Sequence, residues 1–333
     1  MAAELPQDML CVAIAESDKG GTLRACRRPL PVPGPREVLI EVAAAGVNKA
    51  DVKQRRGVYP MPPGAPDVPG LEVSGVIVAA GRSVRRWRVG DAVCALVLGG
   101  GYAQYCVAPE LQCLRAPAGW SLRDAASLPE AAFTVWTSLI EQARLRAGER
   151  VLVHGGAGGI GAAAVQIAKA LGCEVITTAG SDQKCEFSLR LGADFAINYR
   201  TQDFVSEVVQ ITGGEGVNVI MDVVGAPYLE RNMAALAAGG RLAFVSYEAG
   251  RDASFDIQKL MLRRLILTGS TVRHRNVREK GRIARALERS IWPYMESGRY
   301  VPVVTKVLPL AQAARAHAHL ESGNNIGKIL LTP

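Results

Sequence analysis

The sequence predicts an α/β protein of two parts: an all-β, barrel-like region and a doubly wound parallel sheet. Three observations carry that reading. Residues 10–120 hold short β-like runs separated by Pro- and Gly-rich turns. From Val151 onward, strand-like and helix-like segments alternate. At the start of that alternation the apolar run Val151-Leu152-Val153-His154 breaks directly into glycines. Alternation at this spacing implies parallel βαβ units, whereas turn-punctuated short strands imply an antiparallel sandwich or barrel.

Taken in order, the first β-like runs are Glu37–Val42, Gly75–Ala80 and Asp91–Val97, with breakers at 29–35 and 61–66. Ser127-Leu128-Pro129-Glu130 has the form of a capping box with proline in the first turn, and predicts a helix over Ala131–Gln142. Strands are then expected at 151–154, 174–178, 195–197, 217–223, 241–246 and 265–268. After Tyr300 the chain returns to short strands around one helix, Leu310–Glu321. The expected domains are therefore 1–126, completed by 298–333, and 127–297.

The Gly-rich loop is the most informative stretch. Gly156, Gly158 and Gly161 fit G-x-G-x-x-G, with Ala157, Gly159 and Ile160 between them, and Ala163, Ala164, Ile167, Ala168 and Leu171 follow at helical spacing. One glycine permits a tight turn, one lets backbone approach a pyrophosphate, and one lets the helix close on the strand. The helix N-terminus then offers free N–H groups and a positive dipole end to phosphates. These six loop residues are candidate dinucleotide contacts.

An NAD site places an acid about 20 residues past the glycines, on the ribose 2′-OH. Here the next strand, Glu174–Ala179, ends at Gly180 and Ser181, with Lys184 one helical turn on and Tyr199 after the following strand. Room, hydroxyls and a cation suit a 2′-phosphate. The expected cofactor is NADP(H); Asp182 is the counter-indication, since a small shift of the strand end makes it the ribose acid. Val224-Gly225, after Asp222, and Phe244 with Ser246 end later strands at the carboxyl edge, where open α/β sheets bind ligands.

Composition bounds the remaining classes. With 333 residues, 49% hydrophobic and 21% charged, the chain can bury two cores. No apolar run reaches the length of a membrane span, and Met1-Ala2-Ala3-Glu4 lacks a signal-peptide pattern, so a cytoplasmic protein with no membrane partner is expected. Seven cysteines are scattered with no C-x-x-C, which favours reduced thiols. The net charge of +8 has arginines at Arg82, Arg85, Arg86 and Arg88 and again from Arg263 to Arg289. No nucleic-acid motif accompanies them, and in Arg282–Arg289 the charges share a helix with apolar positions, so a solvated face is expected and nucleic acid is not.

The chain resembles the zinc-free quinone oxidoreductases of the medium-chain dehydrogenase/reductase superfamily, most of all the branch that includes the p53-inducible enzyme. The resemblance spans essentially the whole chain. It is carried by Ala45–Asp51, Arg56–Pro60, Pro69–Gly75, Val89–Asp91, Gly99–Tyr105, Leu128–Thr134, the Gly-rich loop, Ala179–Ser181 and Asn325–Ile329. It implies a GroES-like catalytic barrel plus a Rossmann domain with the cofactor in the cleft, a homodimer, and NADPH-dependent reduction of a quinone. It also implies that Asn48 and Leu71 stand where zinc-dependent relatives carry Cys and His; neither ligates zinc, and the four-Cys lobe of those relatives is missing. No metal is expected.

Without a Lewis acid, reduction requires an acceptor that is already electrophilic. The resemblance places Asn48, Tyr59 and Thr134 around nicotinamide and substrate. Tyr59 is the candidate to bind or protonate a developing oxyanion, and Asn48 to hydrogen-bond substrate or ribose. One departure matters: the p53-inducible enzyme has a serine proposed to assist catalysis where this chain has Gly158. Leu265–Ser270 is expected as an edge strand open to a second subunit. Two alternatives stand beside quinone reduction: an NADPH-dependent enal or enone double-bond reductase, and a non-catalytic NADPH- or nucleic-acid-binding protein on the same scaffold.

Overall fold

A computed structural model describes residues 5–15, 21–59 and 61–333; Met1–Glu4, and Pro60 of the expected Tyr59 turn, lie outside the described residues. The chain divides into two compact units, residues 1–130 with 273–296 and 301–333, and residues 131–272 with 297–300.

In the first unit, β1 (Asp8–Ala15) and β2 (Thr22–Pro29) form an antiparallel pair. A larger sheet is built on β3 (Glu37–Val47), which pairs antiparallel with β4 (Glu72–Ala80) and with β6 (Tyr105–Pro109). β5 (Ala92–Leu96) bridges β4 and β7 (Cys113–Arg115). Valine and isoleucine dominate the buried positions of these strands, and they form one core with Tyr102 and Trp87. A short helix, α1 (Lys49–Arg55), follows β3, and α2 (Leu122–Ala125) is capped by the Ser121 hydroxyl.

The expected capping box at Ser127 does not form. The Ser127 hydroxyl donates back to the Asp124 carbonyl at 2.6 Å, and the Glu130 N–H it would have accepted goes to the Glu72 carboxylate at 2.8 Å. The helix α3 (Pro129–Val135) then widens into a π-helical stretch over Trp136–Gln142.

The second unit is a six-stranded parallel sheet of β8 (Arg150–His154), β9 (Glu174–Ala179), β10 (Phe195–Asn198), β11 (Val217–Asp222), β12 (Leu236–Phe244) and β13 (Ile266–Gly269). The strand order is β10-β9-β8-β11-β12-β13, which reverses between β8 and β11 and puts β13 at an edge. Five helices connect them: α4 (Gly159–Ala170), α5 (Asp182–Arg190), α6 (Phe204–Ile211), α7 (Leu229–Ala235) and α8 (Ile257–Arg263).

Residues 273–296, expected with the nucleotide-binding domain, pack instead on the first unit. α9 (Val277–Ser290) buries Gly281, Ile283, Ala284 and Leu287 and leaves Arg278, Arg282, Arg285 and Arg289 exposed, the solvated face expected from its pattern. Gly281 sits against Leu111, so close that a Cβ there would meet the Leu111 Cβ at 2.8 Å. The Glu288 carboxylate pairs with Arg86 and accepts the Arg115 N–H at 2.9 Å, and in α10 (Trp292–Glu296) the Trp292 indole donates to the Arg115 carbonyl at 2.8 Å. The chain ends with β14 (Val304–Pro309), α11 (Ala313–Glu321) and β15 (Lys328–Thr332); β15 pairs antiparallel with β3 and so completes the first sheet. Among the described residues no helix is long and apolar enough to cross a membrane, and all seven cysteines are free.

Candidate functional site

The Gly-rich turn joins β8 to α4 at the reversal of strand order. Its glycines divide the work. A Cβ on Gly156 would come 1.8 Å from the Thr177 hydroxyl, and one on Gly161 would come 2.1 Å from the Gly155 carbonyl oxygen. Both are therefore fixed by close packing of strand, loop and helix. A Cβ on Gly158 would meet only the Gly155 carbonyl oxygen, at 3.5 Å, so this is the glycine with open space beside it. The tight turn itself belongs to Gly155, at φ 75°, a residue the motif does not single out. Gly158 is the N-cap of α4 and supplies no side chain to the N–H groups of the first turn. Those N–H groups and the dipole end fit a pyrophosphate.

The edge of this loop is held by a buried polar chain. The Asp222 carboxylate accepts from the Val224 and Gly225 N–H groups and from the Asn232 amide nitrogen. Asn232 therefore turns its oxygen to His154 Nε2, at 2.7 Å, so Nε2 carries the proton and Nδ1 accepts from the Thr178 hydroxyl at 2.9 Å. Burial holds His154 neutral, its pKa lowered to about 4, and pushes Asp222 up to about 6. This ties the ends of β8, β9 and β11 together beneath the turn. Val224 and Gly225 follow directly, and Gly225, at φ 94°, lets the 246–250 loop come against it, since a Cβ there would strike the Gly250 carbonyl oxygen at 2.4 Å. Phe244 ends β12, and the Ser246 hydroxyl donates to Glu248 at 2.7 Å.

The structure brings Gly180 and Tyr199 together. β9 and β10 pair with Ala179 opposite Asn198, so Tyr199 falls beside Gly180. A Cβ on Gly180 would meet the Tyr199 hydroxyl at 2.7 Å and Arg200 Nε at 3.5 Å. Arg200 is a second cation for this corner that the sequence reading missed. Ser181 caps α5, its oxygen accepting from the Lys184 N–H at 3.3 Å, which leaves its O–H free to donate. Asp182, the counter-indication, accepts from the Asn198 amide at 2.7 Å.

In the first unit, Asn48 stands at the end of β3 and opens α1. Its backbone N–H donates to Asp51 at 2.8 Å. Its side-chain nitrogen donates to Glu72 Oε1 at 2.9 Å, and its side-chain oxygen accepts from Lys328 Nζ at 2.8 Å. Lys328 also pairs directly with Glu72, and all three side chains are buried. Around them burial pushes Asp51 and Glu130 up to about 7, each raised further by the Glu72 charge and drawn back by Lys328. The Tyr102 hydroxyl, 3.2 Å from Asp51 and 3.0 Å from His317 Nε2, lines the other side. Burial first, then Arg55, holds His317 down at about 4.

Tyr59 is half-buried, and the Arg273 guanidinium lies 4.5 Å from the centre of its ring. Arg273 is itself buried and donates to Gln54 Oε1 and Met61 Sδ, both at 2.9 Å, leaving Nε and Nη1 without partners among the described residues. Sequence reasoning missed Arg273 because it lies in a run of basic residues. Thr134 is buried in α3, in the second unit. Leu71 is buried. Among the described residues no group of three His, Cys, Asp or Glu side chains is placed to hold a metal.

Two family models match the chain: an alcohol dehydrogenase GroES-like domain over residues 34–118, and a zinc-binding dehydrogenase over residues 159–288. Human quinone oxidoreductase is 32% identical over 306 residues, covering 91% of each chain. The chain belongs to the quinone oxidoreductase family of the medium-chain dehydrogenase/reductase superfamily. The rat quinone oxidoreductase-like protein 2 is a further family relative, 31% identical over 91% of this chain and 87% of its own. Among solved structures, a mycobacterial protein complexed with NADPH superposes with a TM-score of 0.86 at 32% identity, over 98% of this chain and 100% of the other. A Pseudomonas syringae quinone oxidoreductase superposes with a TM-score of 0.85 at 26% identity, over the same shares. The family's GroES-like and Rossmann parts are the two textures read in the sequence, and the chain is an oxidoreductase of a nicotinamide-dependent family.

Proposed function

We propose that this chain is a zinc-independent NADPH:quinone oxidoreductase. The observation that carries the reading is the buried Lys328 ammonium on the Asn48 amide oxygen. A zinc-dependent relative needs a thiolate at that place; here an amide already holds a fixed cation, and neither Asn48 nor the buried Leu71 ligates zinc. An acceptor that is electrophilic without a metal, a quinone, suits this arrangement.

NADPH, when bound, supplies the hydride. The open face of Gly158, the backbone of Gly156–Gly161 and the first-turn N–H groups of α4 hold the pyrophosphate; Gly180, Ser181, Lys184, Tyr199 and Arg200 hold the 2′-phosphate. Val224, Gly225, Phe244, Ser246 and Thr134 serve the nicotinamide end. Asn48 donates to the acceptor oxygen, and Tyr59, with the Arg273 guanidinium on its ring face, delivers the proton. The Gly180, Tyr199 and Arg200 corner supports NADPH over NADH, and one solved structure similar to the chain is a complex with NADPH. The edge position of β13, with exposed Ile266, and exposed Ile257, Met261 and Leu262 on α8 support a homodimer, and the seven free thiols suit a reducing compartment.

The test is oxidation of NADPH and NADH by purified, chelator-treated protein with an ortho-quinone, a para-quinone and an enal. NADPH-selective quinone turnover supports the reading. Turnover of the enal alone moves the assignment to a double-bond reductase, and tight NADPH binding without turnover on any acceptor refutes a catalytic role.

A further inference from the structure

The triangle of Asn48, Glu72 and Lys328 fixes more than the position of one side chain. A primary amide can present either its oxygen or its nitrogen, and the two orientations fill the same space. Here the choice is made by charge. Lys328 Nζ reaches the Asn48 oxygen at 2.8 Å, and Glu72 Oε1 takes one Asn48 N–H at 2.9 Å. Flipping the amide would set its NH₂ against an ammonium and its oxygen against a carboxylate. Glu72 is held in turn by the Glu130 backbone N–H, at 2.8 Å on Oε2, so it cannot turn away.

Such an arrangement is costly as a stabilising device, because a buried ion pair recovers little beyond its desolvation. Its effect on the amide is specific. An ammonium on the oxygen draws electron density from the nitrogen, and hydrogen bonds in series strengthen one another at low dielectric. The amide nitrogen carries two hydrogens and Glu72 takes one; the other, without a partner among the described residues, is left as a polarised donor.

We propose that Lys328 and Glu72 are positioning residues that commit Asn48 to act as a hydrogen-bond donor toward the substrate oxygen on which negative charge develops. The substrate class this selects is a carbonyl-bearing acceptor, a quinone or conjugated ketone, whose oxygen becomes an oxyanion as hydride arrives. The ammonium does not touch that oxygen; it acts through the amide. This deepens the reading of Asn48 under the proposed function and rests on it.

A double-mutant cycle tests the route. kcat with NADPH and a para-quinone is measured for the full-length wild type, Asn48→Ala, Lys328→Met and the double variant, with NADPH affinity followed by nicotinamide fluorescence. Removing a donor to a developing oxyanion costs about 100-fold in kcat, and Lys328→Met is expected to lose about 10- to 100-fold with NADPH affinity unchanged. Because Lys328 acts through Asn48, the double variant is expected to be no slower than Asn48→Ala alone. Losses that multiply overturn the proposal.

A Glu72→Gln/Lys328→Met chain, which removes both buried charges together, separates stability from chemistry. Its melting temperature is expected to return toward that of the wild type while kcat stays low. Recovery of kcat along with stability would show a merely structural pair and overturn the proposal. Wild-type quinone turnover is measured first; its absence refutes the proposed function, whereas turnover without coupling refutes this inference alone.

Discussion

His154 gives the nucleotide-binding unit a measurable pH dependence. The ring lies fully buried between Thr178 and Asn232, edge-on to Phe204 and Tyr228 at centroid distances of 5.0 and 5.1 Å. Burial lowers its pKa to about 4, whereas an unfolded histidine titrates near 6.5. Between those values the unfolded chain binds the extra proton, so stability rises with pH there. It is fully present above about 6.5 and is lost as pH falls toward 4. For this one group the loss between pH 7 and pH 5 is about 2 kcal/mol, or about 4–8 °C in the melting temperature of a unit this size. His154→Gln keeps a donor for Asn232 and an acceptor for Thr178 but removes the titration and the ring contacts. At pH 7 the variant is expected to be less stable by about 1–3 kcal/mol. At pH 5 that gap is expected to shrink by about 2 kcal/mol, because only the wild type pays for its histidine. Asp222, raised to about 6, works in the opposite sense, its contribution fading as pH rises, and His317 in the other unit follows His154. Both are present in each protein and cancel in the comparison. Calorimetry at the two pH values reads the gap directly, and an equal gap at both would refute the assignment of a buried neutral ring.

Arg200→Ala is expected to weaken NADPH binding by about 10- to 100-fold, the worth of a charge-assisted hydrogen bond, and to leave NADH unchanged; titration calorimetry with both cofactors checks this. Gly161→Ala drives a Cβ to 2.1 Å from the Gly155 carbonyl oxygen and is expected to destabilise the unit by about 1–3 kcal/mol as well as weaken NADPH. Gly158→Ala, whose Cβ meets only that oxygen at 3.5 Å, should melt like the wild type and still bind NADPH less tightly, a contrast read by thermal shift with and without cofactor. Tyr59→Phe is expected to lower kcat about 100-fold with NADPH affinity unchanged, and rapid-mixing kinetics would detect it.

Much of the scaffold was legible because local pattern and long-range packing agree. The apolar runs that end in glycine or a polar turn became β8, β9, β10 and β11 nearly to the residue, and Gly156–Gly161 form the turn after β8 and the start of α4. The capping box failed because a local pattern met a distant competitor: Glu72 claims the Glu130 N–H. The attachment of 273–296 was invisible for a related reason. Ile283, Ala284 and Leu287 mark an apolar stripe on α9 but do not say which surface it covers, and the deciding contacts, Glu288 with Arg86 and Trp292 with Arg115, join residues far apart in sequence.

The same limit applies to the candidate site. Asn48 was reachable from the resemblance, yet the hydrogen bond that orients its amide comes from Lys328, 280 residues away, brought in when β15 pairs with β3. Arg200 reads as one more surface arginine until the register of β9 and β10 sets it beside Gly180. In both cases the residue a motif can name is the one that would touch the ligand, and the residue that sets its polarity or charge comes from another strand. A sequence motif therefore names the residues proposed to meet the ligand here, but does not state which way a donor points. That is why removing Lys328, rather than Asn48 itself, is the more discriminating perturbation: it leaves the amide in place and changes only what the amide can offer.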